Sequence, residues 1–281
     1  MIIEAPGLYK GLSNEDYHAS KGISNSQMSY LLPPHCPKEF WYKYLSGKVA
    51  KQEDQSHFSV GSAVHTLVFE PETFKDRFHS VVEIPKRNTI MGKAAYEAME
   101  KTAAGRSILD KADQDLVFEM AANITSHKMW KSLKATSGNI EDSLAWRDPE
   151  SNTLLRSRPD YYNNEIIIDL KTTKDSSPAA FKRSVVDYGY HRQAALAIDG
   201  LTTLTGRFYS SVVLFVVDKN PPYPVRCYVL SETAVQQGRL EYKQAAMIYA
   251  KCSESGQWED HPQIIEDIDL PQWAYRSFDN E

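Results

Sequence analysis

The segment Glu165-Ile166-Ile167-Ile168-Asp169-Leu170-Lys171 constrains the fold more than any other. Three consecutive β-branched residues favour an extended backbone, and an apolar run of this kind belongs in the middle of a sheet with both faces covered. Yet the run ends by placing a carboxylate and an ammonium two residues apart. In a strand such residues share a face, so Asp169 and Lys171 project together while Leu170 points the other way into apolar packing. A buried strand that carries two opposite charges on one face at its end must have a use for them.

The surrounding pattern supplies the layers. Ser24 with Gln27 three residues later predicts a capped helix through Leu32, ended by Pro33-Pro34. Val60, Val64, Leu67 and Val68 predict a second helix over 58–69, with His65 inside it, and residues 92–133 read as two or three further helical segments. Residues 143–147 and 153–158 flank the turn-rich Asp148-Pro149-Glu150-Ser151-Asn152 and predict a β-hairpin. After the central strand, helix over 178–198, strands over 208–217 and 223–230 and a closing helix over 232–251 complete the order. An α/β fold follows, a central mixed sheet flanked by helices with helical N-terminal additions. It reads as a single domain over 1–281: a helical part to about 135, an α/β core over 136–252 and a C-terminal tail over 253–281.

Bulk properties exclude several classes. No uninterrupted apolar run approaches the roughly 20 residues that span a bilayer, and the start MIIEAPGLYKGLSNEDY lacks a secretory pattern, so a cytoplasmic protein without membrane association is expected. Cys36, Cys227 and Cys252 stand far apart, which argues against a disulfide framework or zinc ribbon. Cys36-Pro37-Lys38-Glu39-Phe40-Trp41-Tyr42 is similar to a segment of nucleases with an iron–sulfur cluster, but the thiolates for four ligands are missing and no cluster is expected. The net charge of −5 means that any nucleic-acid surface must be a focused channel.

Arg158-Pro159-Asp160 leads toward the central strand, so Asp160 can arrive beside Asp169 and Lys171 from its neighbour. Two carboxylates so placed bind hard cations such as Mg²⁺ or Mn²⁺, and the adjacent ammonium can orient or help deprotonate an attacking water. This chemistry suits phosphodiester hydrolysis.

Pro159-Asp160 and Asp169-x-Lys171 resemble the two signature pieces of the PD-(D/E)xK nuclease superfamily. Gly61-Ser62-Ala63-Val64-His65 resembles the GxxxH helix of its RecB, lambda-exonuclease and RecE branches. With Gly22-Ile23-Ser24-Asn25-Ser26-Gln27, Trp146-Arg147-Asp148-Pro149-Glu150 and Tyr190-His191-Arg192-Gln193 in the same order, the chain is similar to RecE-type exonucleases, the family of exonuclease VIII. That resemblance implies a restriction-endonuclease-like core. It also implies a metal-dependent enzyme of phage or prophage origin that resects linear duplex DNA ends 5′ to 3′ and leaves a 3′ strand for an annealing protein. By the same resemblance His65, Asp160, Asp169 and the Leu170 carbonyl would ligate Mg²⁺ (or Mn²⁺), two ions per site, and Lys171 would handle the water.

Glu141 would assist, with Asp142 as the alternative, and Gln193 would steady the lysine or the substrate. Ser24, Ser26, Tyr190 and Arg192 are the candidate DNA contacts. Many relatives carry a tyrosine where this chain has Ala197, so that contact would be absent or be supplied by Tyr188 or Tyr190. A homo-oligomeric ring around the duplex is the implied assembly. An endonuclease or single-strand nuclease on the same core, or a non-catalytic DNA-binding module, are the competing readings.

Overall fold

The structure, a computed structural model, describes residues 1–48, 60–271 and 275. The N-terminal part contains β1 (Gly7–Tyr9), α1 (Asn14–Ala19), α2 (Asn25–Met28), α3 (Pro37–Tyr44), α4 (Val60–Phe69), α5 (Phe74–Arg77), β2 (Phe78–Ser80), α6 (Ile90–Ala103), β3 (Ser107–Leu109), α7 (Lys111–Ser126) and α8 (Lys128–Leu133). There follow β4 (Asn139–Ile140), β5 (Ser143–Arg147), β6 (Leu154–Ser157), β7 (Tyr161–Tyr162) and β8 (Ile167–Thr173). The chain continues through α9 (Pro178–Asp187), α10 (Tyr190–Thr205), β9 (Val212–Asp218), β10 (Val225–Val229) and α11 (Glu232–Ser255).

Five strands form the central sheet in the order β10-β9-β8-β7-β4. It is mixed: β8 runs parallel to β9, while β9–β10, β8–β7 and β7–β4 are antiparallel. Parallel neighbours need a crossover, which α9 and α10 provide. The hairpin of β5 and β6 forms as its sequence predicts, but it pairs with β1 in a separate three-stranded sheet instead of extending the central one.

Alternation along β8 divides the core. Ile167 faces the α10 and α11 side with Val212, Leu214, Ala195, Leu196 and Val235, whereas Ile168 and Leu170 face α4 and α7 with Val64, Val117, Met120 and Phe215. Each of the three is worth about 1.5–3 kcal/mol relative to an exposed position. β9, a continuous apolar strand, is covered on both faces for the same reason.

Two helices are divided differently from the sequence expectation, and a third is described only in part. The early helix is one turn, α2, continued as a 3₁₀ turn over Ser29–Leu31. The helix expected over 178–198 breaks at Gly189, whose φ of 62° is left-handed, and α10 then continues seven residues further to Thr205. The helix over 58–69 is seen from Val60, and Phe58 lies outside the described residues. Of the C-terminal tail, residues 272–274 and 276–281 also lie outside them.

Glycine at 238 sets the closeness of α10 and α11. A Cβ there would lie 2.3 Å from the His191 carbonyl oxygen, which is backbone and cannot swing away. Gly238→Ala is therefore expected to lower unfolding free energy by about 2 kcal/mol, read as a lower urea midpoint at unchanged m-value.

Candidate active site

The site is organised around one peptide, Leu170. The β7–β8 pairing ends at Tyr161 opposite Ile168, and the same register continued by two residues would set Pro159 opposite Leu170, where proline has no N–H to give the Leu170 carbonyl. The released groups are taken by side chains: Leu170 N–H donates to Asp160 Oδ2 at 2.6 Å, and the Leu170 carbonyl accepts from His65 Nε2 at 2.8 Å. His65 reaches it from α4, and its Nδ1 stands 3.5 Å from Asp160 Oδ2.

On the other side of β8, Asp169 and Lys171 meet at 2.6 Å (Oδ2 to Nζ), and both are largely buried. Gln193 of α10 bridges them, its Nε2 donating to Asp169 Oδ1 at 3.0 Å and its Oε1 accepting from Lys171 Nζ at 3.1 Å. The Tyr190 ring covers the ammonium, 4.5 Å from Nζ to the ring centre. Tyr190 is thus the tyrosine that meets the site, and Tyr188 stacks on it at 5.5 Å. Ala197, where relatives carry tyrosine, lines a small cavity together with Pro159, Asp169, Tyr190 and Gln193.

Burial pushes the Asp160 carboxyl up to about 6, with Asp169 adding to the rise and His65 and Lys171 opposing it. Burial also works against the charge of Lys171, but the Asp169 and Asp160 carboxylates outweigh it and hold the ammonium above its ordinary range. The residues fit a divalent metal. Asp160, the His65 imidazole and the Leu170 carbonyl meet at one edge of β8, and Asp169, whose Oδ2 faces only the Lys171 ammonium, is near enough to raise the Asp160 carboxyl. Such oxygen-rich sets with one imidazole suit Mg²⁺ or Mn²⁺.

The remaining sequence candidates fall differently. Glu141 sits between β4 and β5 with a left-handed φ of 48°, and its N–H donates to the Asp160 carbonyl at 3.1 Å. Asp142 is buried and accepts from the Tyr162 hydroxyl at 2.8 Å, so of the two carboxylates Glu141 is the one beside the site with its side chain uncommitted to Tyr162. Arg192, expected at the DNA, is buried instead. It donates to Asn25 Oδ1 at 2.8 Å and to Glu241 Oε2 at 3.2 Å, tying α10 to α2 and α11. Ser24 is buried too, its hydroxyl 3.2 Å from both the Ser26 hydroxyl and Gln27 Oε1, and the four-residue α2 is too short to offer a helix-dipole site. Ser26 is exposed.

Arg156 was not legible as a site residue. It is wholly buried on β6, four residues before Asp160; Nη2 donates to Gln27 Oε1 at 3.2 Å and the guanidinium lies over the Tyr17 ring at 4.7 Å, while Nε and Nη1 have no hydrogen-bond partner among the described residues. A lone arginine in the apolar Leu154-Leu155-Arg156 was the available signal.

A mixed sheet carrying a proline-interrupted pair of carboxylates and a lysine defines a PD-(D/E)xK nuclease-like domain. The chain belongs to the family of the PDDEXK-like domain of unknown function (DUF3799), whose profile matches residues 24–270. Among solved structures, the "Putative exonuclease" of Eubacterium rectale shares the fold with a TM-score of 0.60 at 15% identity, over 92% of this chain and 96% of its own. A second structure, SSO0001, aligns with a TM-score of only 0.26 at 14% identity, over 66% of this chain and 86% of its own, which is too low to carry an argument. No curated protein matches the chain significantly. No helix among the described residues is long and apolar enough to cross a membrane.

Two measurements follow. Asp160 is protonated below about pH 6 and must release that proton to a metal, so Mn²⁺ affinity should fall as pH falls through 6, by up to about tenfold per unit. Because its folded value exceeds the unfolded 3.8, the stability it contributes without metal is present below pH 4 and lost as pH rises through 6. The Mn²⁺-induced rise in Tm should accordingly be larger at pH 7.5 than at pH 5, and equal shifts would contradict the assignment. Gln193→Ala should lower turnover roughly 10- to 100-fold with little change in Tm, since it removes the bridge that holds Lys171 against Asp169.

Proposed function

We propose that this protein is a metal-dependent exonuclease that resects linear double-stranded DNA from 5′ to 3′ and leaves a 3′ strand for recombination by annealing. The observation that carries the nuclease reading is the meeting of His65, Asp160 and the Leu170 carbonyl on one edge of β8 with Asp169 and Lys171 on its adjoining face. His65, Asp160, Asp169 and the Leu170 carbonyl would hold Mg²⁺. When bound there, the metal supplies Lewis acidity toward a phosphoryl oxygen and toward the water that attacks it.

The chain's own residues prepare that encounter. Lys171, held above its ordinary range by its carboxylates, is an ammonium placed to orient water and offset phosphate charge. Gln193 fixes its reach, and Tyr190 shields it from bulk solvent. Glu141 stands beside Asp160 to assist.

The exonuclease direction and the partners rest on the resemblance to RecE-type enzymes. The net charge of −5 supports a design in which only an enclosed channel is basic, as in a homo-oligomeric ring around the duplex. In this reading the enzyme works in the cytoplasm with a single-strand annealing protein.

Linear and covalently closed duplexes test the proposal. The wild-type protein in Mg²⁺ should degrade linear DNA, releasing a 5′ label early, and spare closed circles. Asp160→Asn and Asp169→Asn should each reduce cleavage by at least ~10³-fold without unfolding the protein, since the amide keeps the shape and loses the charge that holds a divalent ion. Rapid cutting of closed circles that vanishes in Asp169→Asn would make it an endonuclease. Undiminished cleavage by both variants would remove the site itself.

A further inference from the structure

The Cys36-Pro37 segment has no part in the site above, yet the fold brings a distinct set of ligands to it. Cys36 caps the N-terminus of α3 and is buried. After α11 the chain turns at Gly256 and returns to α3. Trp258 stacks on Phe40 at 5.3 Å with an interplanar angle of 11°, and the Glu259 carbonyl accepts from Lys38 N–H at 2.9 Å. This return places Asp260 and His261 against Cys36 and Glu39.

The spacing within that group is specific. Candidate ligand atoms of Cys36, Glu39 and His261 all lie within 4.8 Å of one another. Glu39 Oε1 is 3.4 Å from His261 Nε2, and Cys36 Sγ is 3.8 Å from Asp260 Oδ1. Tetrahedral zinc, with bonds of about 2.0–2.3 Å, sets its donors about 3.3–3.8 Å apart. The Glu39–His261 distance matches an oxygen–nitrogen edge of such a tetrahedron, and the Cys36–Asp260 distance lies a few tenths of an ångström beyond the sulfur–oxygen edge of about 3.5–3.6 Å.

We propose that Cys36, Glu39, Asp260 and His261 form a second metal site, for Zn²⁺ or a similarly thiophilic divalent ion, which fastens the C-terminal return to α3. One thiolate, one imidazole and two carboxylates are a set that zinc accepts and that Mg²⁺, which favours oxygen, does not. The charges also close. A thiolate and two carboxylates bring −3 against the ion's +2, and Lys38 Nζ, 2.6 Å from Asp260 Oδ2, supplies the remaining positive charge. His35 Nδ1, 2.7 Å from Glu39 Oε2, holds the oxygen of that carboxylate not turned to His261. A network of ion pairs would account for the lysine and the acids, with the Cys36 thiol donating to Asp260, and a thiolate bound to metal is what separates the two.

The full-length protein can be tested with Zn²⁺ and with Co²⁺ as a spectroscopic probe. One equivalent of Zn²⁺ should survive dialysis in the wild type and equally in Asp169→Asn, which separates this site from the active site. The Co²⁺ form should show thiolate-to-cobalt charge transfer that is lost in Cys36→Ser and kept in Cys227→Ser. His261→Ala, at an exposed position that leaves the fold intact even if Cys36→Ser does not fold, should weaken Zn²⁺ at least ~100-fold and abolish the Zn²⁺-induced rise in Tm. Absence of the charge-transfer band from the wild type, its survival in Cys36→Ser, or unchanged Zn²⁺ affinity in His261→Ala would overturn the proposal.

Discussion

A missing hydrogen-bond donor governs this site. The β7 pairing ends at Tyr161, and in the continued register Pro159 has no N–H to give Leu170, so one residue in a buried sheet turns its N–H and carbonyl to side chains. Unpaired backbone at such depth costs free energy, so it must find partners. It finds the Asp160 carboxylate and the His65 imidazole, from two different elements, and thereby draws both to the end of β8 where Asp169 and Lys171 already sit. The proline is as much a part of the arrangement as the charged residues, since it creates the demand that they satisfy.

The sheet supports this from both faces with different materials. α4 and α7 cover Ile168 and Leu170 with aliphatic and aromatic packing, which fixes the height from which His65 descends. On the α10 side an amide, Gln193, spans the ion pair, and it can do so only because the break at Gly189 restarts the helix with Tyr190 and Gln193 turned toward β8. His191 and Arg192, interleaved with those two, face α11 instead, where Glu241 receives both. A single helical turn thus alternates between the site and the scaffold. Burying carboxylates beside an ammonium leaves Asp160 reluctant to ionise and Lys171 reluctant to lose its proton, a balance that a divalent cation would reset.

Much of this was legible in the sequence. The run through Ile166–Ile168 announces a covered central strand, and period-two spacing puts Asp169 and Lys171 on one face without reference to any other residue. His65, Asp160 and Gln193 are recognisable because their order resembles a known family, and the fold brings all three to β8. The failures are long-range. Arg192, a basic residue in the Tyr190-His191-Arg192-Gln193 segment, reads as a DNA contact, but its partner Glu241 is 49 residues away, and nothing local reveals that pairing. The burial of Ser24, the separation of the β5–β6 hairpin into its own sheet and the isolation of Arg156 likewise depend on pairing between distant segments. Cys36 was judged on cysteines alone, and the residues that meet it, Asp260 and His261, lie more than 200 positions downstream.

The alternation of β8 has a consequence for errors in folding. The same period of two that turns Leu170 into the α4 layer turns Asp169 and Lys171 out of it, so a slip of one position would drive both charges into hydrocarbon and bring Ile168 and Leu170 to where the charges belong. A strand slipped by one position therefore could not keep its core and lose only its chemistry, and a cell would meet such a form as one visibly damaged to its proteases.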